Sequence, residues 1–287
     1  DKIRALEKKQ SRKLMTGQVL SAYAAAKKGG TFDESAFKQV LKQNVGSLPW
    51  DTVREDVVAA KGRSEMMSKD LIIGQVKGGL DPVVEQSEGE LSSDLARSLI
   101  SLRTAIDVLL PLQPHIAEVY TGLLASNVRE MKDNWTANQV ALTEKDKGTP
   151  VVVAVWDSGV DVKLFGKQLF VNAKETVNGK DDDGNGYVDD VNGIAYDIES
   201  LPTAELLFDT KELKNSISLV EDHTKGMMDV QAAIDSPEAT ALKAYIRSLK
   251  SDQVKNFVED LGLFGNYSHG THVAGIAAEG NPFARVL

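Results

Sequence analysis

The sequence predicts an α/β chain: part of a parallel β-sheet with flanking helices, preceded by a mostly helical N-terminal region. Three observations predict it. Val151-Val152-Val153-Ala154-Val155-Trp156 is a short, continuous, β-branched run, the pattern of a strand covered on both faces. Apolar residues at helical spacing fill much of residues 1–147 and return at about 198–262. Ala284-Arg285-Val286-Leu287 reads as the start of a second strand. The expected division is therefore a helical region over 1–147 and an incomplete α/β domain over 148–287, with a helical insertion at about 198–262.

Taken in order, Ala5 to Ala26 is the first helix. Thr31-Phe32-Asp33-Glu34 has the Thr-x-x-Glu spacing of a capping box and places Phe37, Val40 and Leu41 on the buried face of a second helix. Leu71 to Val76 is the one stretch of this region that reads as a short strand. Further helices are expected over Leu91 to Leu110 and from Pro114 to about Met131. His115, alone behind a proline, reads as a surface or capping residue. In the insertion, Ser236-Pro237-Glu238 is a helix start, with Ser as N-cap and Pro at the first helical position, and Leu242, Tyr245, Ile246 and Leu249 follow at helical spacing. Ser251 is expected to cap another helix through Val254, Phe257, Val258 and Leu261 that ends at Gly262. His223 lies in this insertion as a structural or surface residue. Asn266 to Ala278 then reads as a turn followed by a helix whose Gly and Ala positions allow close packing on a sheet.

Composition removes several functions. A net charge of −9 argues against binding nucleic acid, because neutralising phosphates needs a basic face. The one basic stretch, Lys2 to Lys28, reads as a solvated helix face. There is no cysteine, so disulfides and thiolate catalysis are both excluded. No apolar run approaches the roughly 18 residues that signal a membrane span.

The residues that carry chemistry follow the first strand. Asp157 stands at the C-terminal end of the Val151 strand, where open α/β sheets place their active sites, and Gly159 lets the chain turn away. Apolar-apolar-Asp-Ser-Gly is also a signature of aspartic proteases, in which two such aspartates share a proton, but no second copy is present. His269-Gly270-Thr271-His272-Val273-Ala274-Gly275-Ile276 supplies a histidine that a carboxylate can orient. His269 and His272 also lie one helical turn apart, as metal ligands do, yet neither the His-Glu-x-x-His pattern nor a third ligand accompanies them.

Asp181-Asp182-Asp183-Gly184-Asn185-Gly186-Tyr187-Val188-Asp189-Asp190 has the spacing of a calcium loop. Asp181, Asp183, Asn185 and Asp189 would present oxygens at positions 1, 3, 5 and 9, and Tyr187 its carbonyl at position 7. Gly186 falls where the sharp turn needs glycine. Position 12 departs from the pattern, because Asn192 replaces the bidentate glutamate. Either Asp190 or a group outside the loop would then complete the shell.

The Asp-Ser-Gly and His-Gly-Thr-His blocks, in that order, resemble the first two catalytic blocks of the subtilisin-like serine peptidases. The acidic run between them also resembles a segment of bacterial members of that family. The resemblance covers about 149–197 and 265–287. It implies a serine endopeptidase acting on polypeptides, with Asp157 supporting the imidazole, His269 as general base and then acid, and His272 structural. It further implies structural calcium and a secreted or cell-envelope location in a bacterium. Two departures bear on it. The long separation of Asp157 from His269 implies the insertion, and the family's Gly-Thr-Ser-Met-Ala block is absent. The chain is accordingly expected to be truncated, with its serine beyond Leu287, and to be inactive alone. Residues 1–147 do not resemble the family's compact α+β prosegment, and an inhibitory or chaperoning role is expected from position alone. The competing reading is a non-catalytic calcium-binding or partner-binding module with the same fold.

Overall fold

The structure is a computed structural model that describes residues 2–28, 30–128, 133, 136–139, 141–197, 199–203 and 208–287. The expected helix end at Met131 and insertion start at Ile198 lie outside the described residues. Helices take 62% of the described residues, so the architecture is α-rich with few strands. The chain forms two compact units, 1–130 with 221–258, and 131–220 with 259–287.

The first unit opens with α1 (Lys2–Leu6), α2 (Gln10–Met15) and α3 (Gln18–Ala26). The single helix expected over Ala5 to Ala26 is thus interrupted. Gly17 takes φ +82°, a left-handed conformation that glycine adopts without strain and that ends a right-handed helix. A hairpin of β1 (Lys27–Lys28) and β2 (Thr31–Phe32) follows, and then α4 (Glu34–Gly46) and α5 (Trp50–Met66). Because Thr31 is used by the hairpin, the cap of α4 is Asp33, whose Oδ1 accepts from the Ala36 amide at 3.0 Å. The helix is the expected one, capped two residues later.

Leu71 to Val76 falls mainly in a helix, α6 (Lys69–Gln75), not in a strand. Ser68 Oγ accepts from the Leu71 amide at 3.1 Å, and this cap starts the helix that the apolar run had concealed. A π turn (Val76–Leu80) leads to α7 (Asp81–Gln86), and α8 (Ser93–Thr104) passes through a second π turn (Ala105–Leu109) into α9 (Leu110–Ser126). The Leu110 amide reaches back to the Ala105 carbonyl, so Pro114 lies inside α9 rather than at its start.

Phe37, Leu41 and Val45 of α4, Val53 and Val57 of α5, and Leu112, Ile116, Tyr120 and Leu123 of α9 form one buried cluster. Phe37 is fully buried within it. Phe37→Ala is expected to destabilise this unit by about 3–5 kcal/mol, read as a lower urea midpoint. His115 packs near the rings of Phe32 and Phe37, with Nδ1 3.3 Å from Glu34 Oε1, and is structural.

The same unit takes in α10 (Ile217–Ala232) from Glu221 onward, and α11 (Pro237–Ser248). Ser236 Oγ caps α11 through the Ala239 amide at 3.0 Å, and Leu242, Ile246 and Leu249 are buried as their spacing predicts. Two lysines and a glutamate join α11 to α5: Lys243 Nζ lies 3.1 Å and Lys61 Nζ 3.0 Å from the Glu65 carboxylate. Arg247 Nε donates to the Glu65 carbonyl at 2.9 Å. Glycines permit the closest approaches: a Cβ on Gly62 would lie 2.9 Å from Val230, and one on Gly74 2.4 Å from Val254. The unit boundaries therefore differ from the expected 1–147 and 148–287, because 221–258 buries its apolar face against the N-terminal helices. His223 is buried beside Tyr245 and Phe257, their ring centres 4.3 and 5.7 Å away.

In the second unit β3 (Val151–Val153) pairs in parallel with β6 (Ala284–Val286), Val151 opposite Ala284. The start of a strand expected at Ala284 is thus present and sits beside the first. A short hairpin, β4 (Ala195–Tyr196) with β5 (Pro202–Thr203), lies between them in sequence. The segment after Gly262 belongs to one long helix, α12 (Val254–Ala278), so the expected helix end at Gly262 and turn at Asn266 are absent. Neither Gly262 nor Gly265 takes a positive φ, so nothing in the backbone stops the helix. Ala274 and Ala278 of α12 pack with Ala284 and Val286, alongside Val153, Val155, Val160 and Phe165. The expected burial of the Val151 strand on both faces does not hold. Val151, Val152 and Trp156 are exposed, Trp156 by 99%, and of this run only Val153 and Val155 pack against the cluster that includes Ala274 and Ala278 of α12. Among the described residues no helix is long and apolar enough to cross a membrane.

Candidate functional site

The catalytic pair of the sequence reading meets in the second unit. β3 delivers Asp157 just past its C-terminal end, and α12 presents His269 to it. His269 Nδ1 lies 2.6 Å from Asp157 Oδ1, although the two residues are 112 positions apart. Two contacts fix the carboxylate. The Ser158 amide donates to Asp157 Oδ1 at 2.7 Å, and that bond first, then the His269 ring, holds the carboxyl below the usual carboxylate range. With Oδ1 an ionised acceptor, the Nδ1 opposite it carries the proton. In a neutral imidazole Nε2 is then left as an acceptor. The His269 side chain is 65% exposed, while that of Asp157 is only 19% exposed. The carboxylate is thus sheltered and the imidazole is presented to solvent.

The turn and the helix are held together by two further bonds. The Gly270 amide donates to Ser158 Oγ at 3.1 Å, and the Asp161 amide donates to Thr271 Oγ1 at 3.0 Å. Gly159 turns the chain at φ +114°, and a Cβ on Gly270 would stand 2.2 Å from the Gly159 carbonyl oxygen. Glycine at both positions lets backbone meet backbone, which brings the His269 ring within reach of Asp157. His272 is exposed and does not join the pair.

The acidic loop closes on itself through the same oxygens that a cation would use. Asp181 Oδ1 accepts from the Gly184 and Asn185 amides at 2.7 and 3.1 Å, and its Oδ2 accepts from Gly186 at 2.8 Å. Gly186 takes φ +96°, as its place in the loop requires. Asp183 Oδ1 accepts from the Asn185 amide at 3.1 Å and Oδ2 from Asn172 Nδ2 at 3.0 Å. One oxygen from each of Glu175, Asp181 and Asp183 lies within 4.8 Å of the others.

The remaining loop residues point to other partners. Asp189 accepts from the amides of Asn178 and Gly179 at 2.8 and 2.9 Å. Asp190 Oδ2 accepts from Asn185 Nδ2 at 2.9 Å, and Asn185 Oδ1 accepts from the Tyr187 amide at 2.8 Å. Asp182 is drawn aside by the Thr176 hydroxyl and the Asn178 side-chain amide, which hold its carboxyl below the usual range. Val188, in the place of a core residue, is exposed. Asn192, at the position of the missing glutamate, donates to the Phe170 carbonyl at 2.8 Å.

Glu175 is the residue that the linear spacing misses. It precedes the loop by six positions, outside any count that starts at Asp181, and only its burial distinguishes it from a surface glutamate. No protein family, curated protein or solved structure matches the chain.

Proposed function

We propose that this chain carries the carboxylate–imidazole half of a serine endopeptidase, and that β3, α12 and β6 are the first part of a subtilisin-like domain. The observation that supports this reading is the 2.6 Å contact between His269 Nδ1 and Asp157 Oδ1 at the end of a parallel strand. Asp157 fixes the tautomer, so Nε2 can take the proton of a serine hydroxyl as its oxygen bonds to the scissile carbonyl carbon. The imidazolium formed is stabilised by Asp157. It then returns the proton to the amine as the C–N bond breaks. Water, deprotonated by the same Nε2, releases the acyl group and restores the serine. Exposure of His269 beside a sheltered Asp157 fits this division of labour.

The serine of this reading lies in polypeptide encoded after Leu287. The 287-residue chain alone is therefore expected to cleave denatured casein at no rate that depends on His269. Robust cleavage by this chain that disappears with His269→Ala would place the nucleophile within it. The reading itself is tested on the polypeptide extended past Leu287. A single serine there is expected to react with a fluorophosphonate, and His269→Ala is expected to abolish that labelling. Absence of any His269-dependent labelling overturns the reading.

A further inference from the structure

We infer that the face formed by Lys8, Lys9, Arg12 and Lys13 is a docking surface for an anionic phospholipid bilayer, with Leu6 as its apolar contact. The inference begins with how charge is distributed along the chain. The whole molecule carries −9, yet no acidic residue occurs from Lys8 to Phe32, where Lys8, Lys9, Arg12, Lys13, Lys27 and Lys28 all fall. The basic stretch therefore runs against the balance of an acidic protein, and no sequence neighbour neutralises it.

The fold keeps these cations in water and apart from carboxylates. Lys9, Arg12 and Lys13 stand at i, i+3 and i+4, on one side of α2. The other side is turned inward: Ser11 is 4% exposed, and Leu14 and Met15 pack on the buried cluster of the first unit. Arg4 Nε donates to the Thr16 carbonyl at 2.7 Å, which ties α1 back to the end of α2. Lys8, Lys9 and Arg12 are exposed, and Lys13 is half-buried. Elsewhere in this unit Lys38, Lys61, Lys225 and Lys243 each meet a carboxylate, whereas among the described residues these four cations form no ion pair.

Unpaired cations gathered on one face fit a polyanion, and Leu6 favours a lipid one. Leu6, two residues before Lys8, is 83% exposed. A bilayer interface takes a cationic face and an apolar side chain together, because the side chain enters the acyl boundary beneath the headgroups. Duplex nucleic acid offers phosphates without such an apolar layer. The field of the headgroups is screened within about 10 Å at 0.1 M salt, so a local basic face can adsorb although the net charge of the chain is negative. Each Lys or Arg near such a surface raises partitioning about fivefold.

The test uses the whole 287-residue chain and sedimentation with vesicles, and it is independent of any peptidase activity. At low salt the chain is expected to sediment with vesicles of phosphatidylglycerol and phosphatidylcholine in equal parts, and not with phosphatidylcholine alone. Salt at about 0.5 M is expected to release it. Lys9→Gln, Arg12→Gln and Lys13→Gln together are expected to weaken binding on the order of 10²-fold and to leave the melting temperature unchanged. Leu6→Ser is expected to weaken binding without altering its dependence on salt. Lys163→Gln with Lys167→Gln, at exposed lysines of the second unit, is expected to bind as the wild type does. Undiminished binding in the triple variant, equal binding to neutral vesicles, or no binding to the anionic ones overturns the surface. Binding to a duplex oligonucleotide and not to the vesicles overturns it equally. If the triple variant folds poorly, Lys8→Gln with Lys9→Gln carries the test, with a loss of roughly 20-fold expected and undiminished binding again overturning the surface.

Discussion

In the polypeptide that carries the nucleophile, His269→Ala is expected to lower kcat for peptide hydrolysis on the order of 10⁶-fold, with little change in KM. The size follows from what Nε2 does: without it no group takes the serine proton as the oxygen attacks. Asp157→Asn is expected to cost less, on the order of 10⁴-fold, for a different reason. An asparagine amide facing Nδ1 would donate to it, which forces the ring proton onto Nε2. The imidazole then meets the serine with a donor where an acceptor is needed, although the side chains stay in place. Steady-state kinetics on the two variants therefore separate loss of the base from loss of its tautomer. A loss below tenfold in either would mean that the 2.6 Å contact serves the fold alone.

The second large effect is expected at Gly270. Its Cβ would stand 2.2 Å from the Gly159 carbonyl oxygen, about an ångström inside normal contact. The oxygen belongs to backbone, and Gly159 is itself held at φ +114°, so the helix must move instead. Gly270→Val is expected to push α12 off the Ser158–Gly159 turn and lengthen the Asp157–His269 contact. A displacement near 1 Å at such a pair costs on the order of 10²-fold in turnover. Overpacking of this kind destabilises by about 1–3 kcal/mol. The variant is expected to melt lower and, under the proposed function, to lose kcat in a polypeptide that carries the nucleophile. Wild-type values for both would show that the turn yields more readily than its geometry implies.

How much of this was legible in the sequence depended on how local the signal was. Asp157 and His269 each sit in a block whose residue types serve one local purpose, and the strand at Val151 announced itself by β-branching. Ser236-Pro237 is a self-contained start signal, and α11 begins there. Shared segments misled. Thr31 offered a cap, but Asp33 offers one as well, and the hairpin with Lys27 and Lys28 decided between them. Leu71 to Val76 is apolar enough for a strand, and Ser68, just outside the run, turned most of it into helix. Long-range partners were out of reach altogether. Nothing in the neighbourhood of Glu65 indicates that Lys243 will meet it from 178 positions away. Glu175 was missed for a related reason: its role depends on burial, and one glutamate between Lys174 and Thr176 carries no periodicity.

The discontinuity of the first unit bears on the order in which the protein can be made and cut. Residues 221–258 complete a body begun by residues 1–130, and the intervening 131–220 belong elsewhere. During synthesis the N-terminal helices must wait, with part of their apolar surface open, until Val254 has left the ribosome and can settle against Gly74. The helices of 1–130 are thus committed early and finished late, a sequence separation that slows folding and prolongs exposure to aggregation. The same arrangement governs maturation. A single cut after residue 130 would free the N-terminal helices only by stripping Val230 and Val254 of the surfaces against which they are buried. A single cut there is therefore expected to leave a nicked but associated protein, with the two pieces running together on gel filtration until a denaturant separates them.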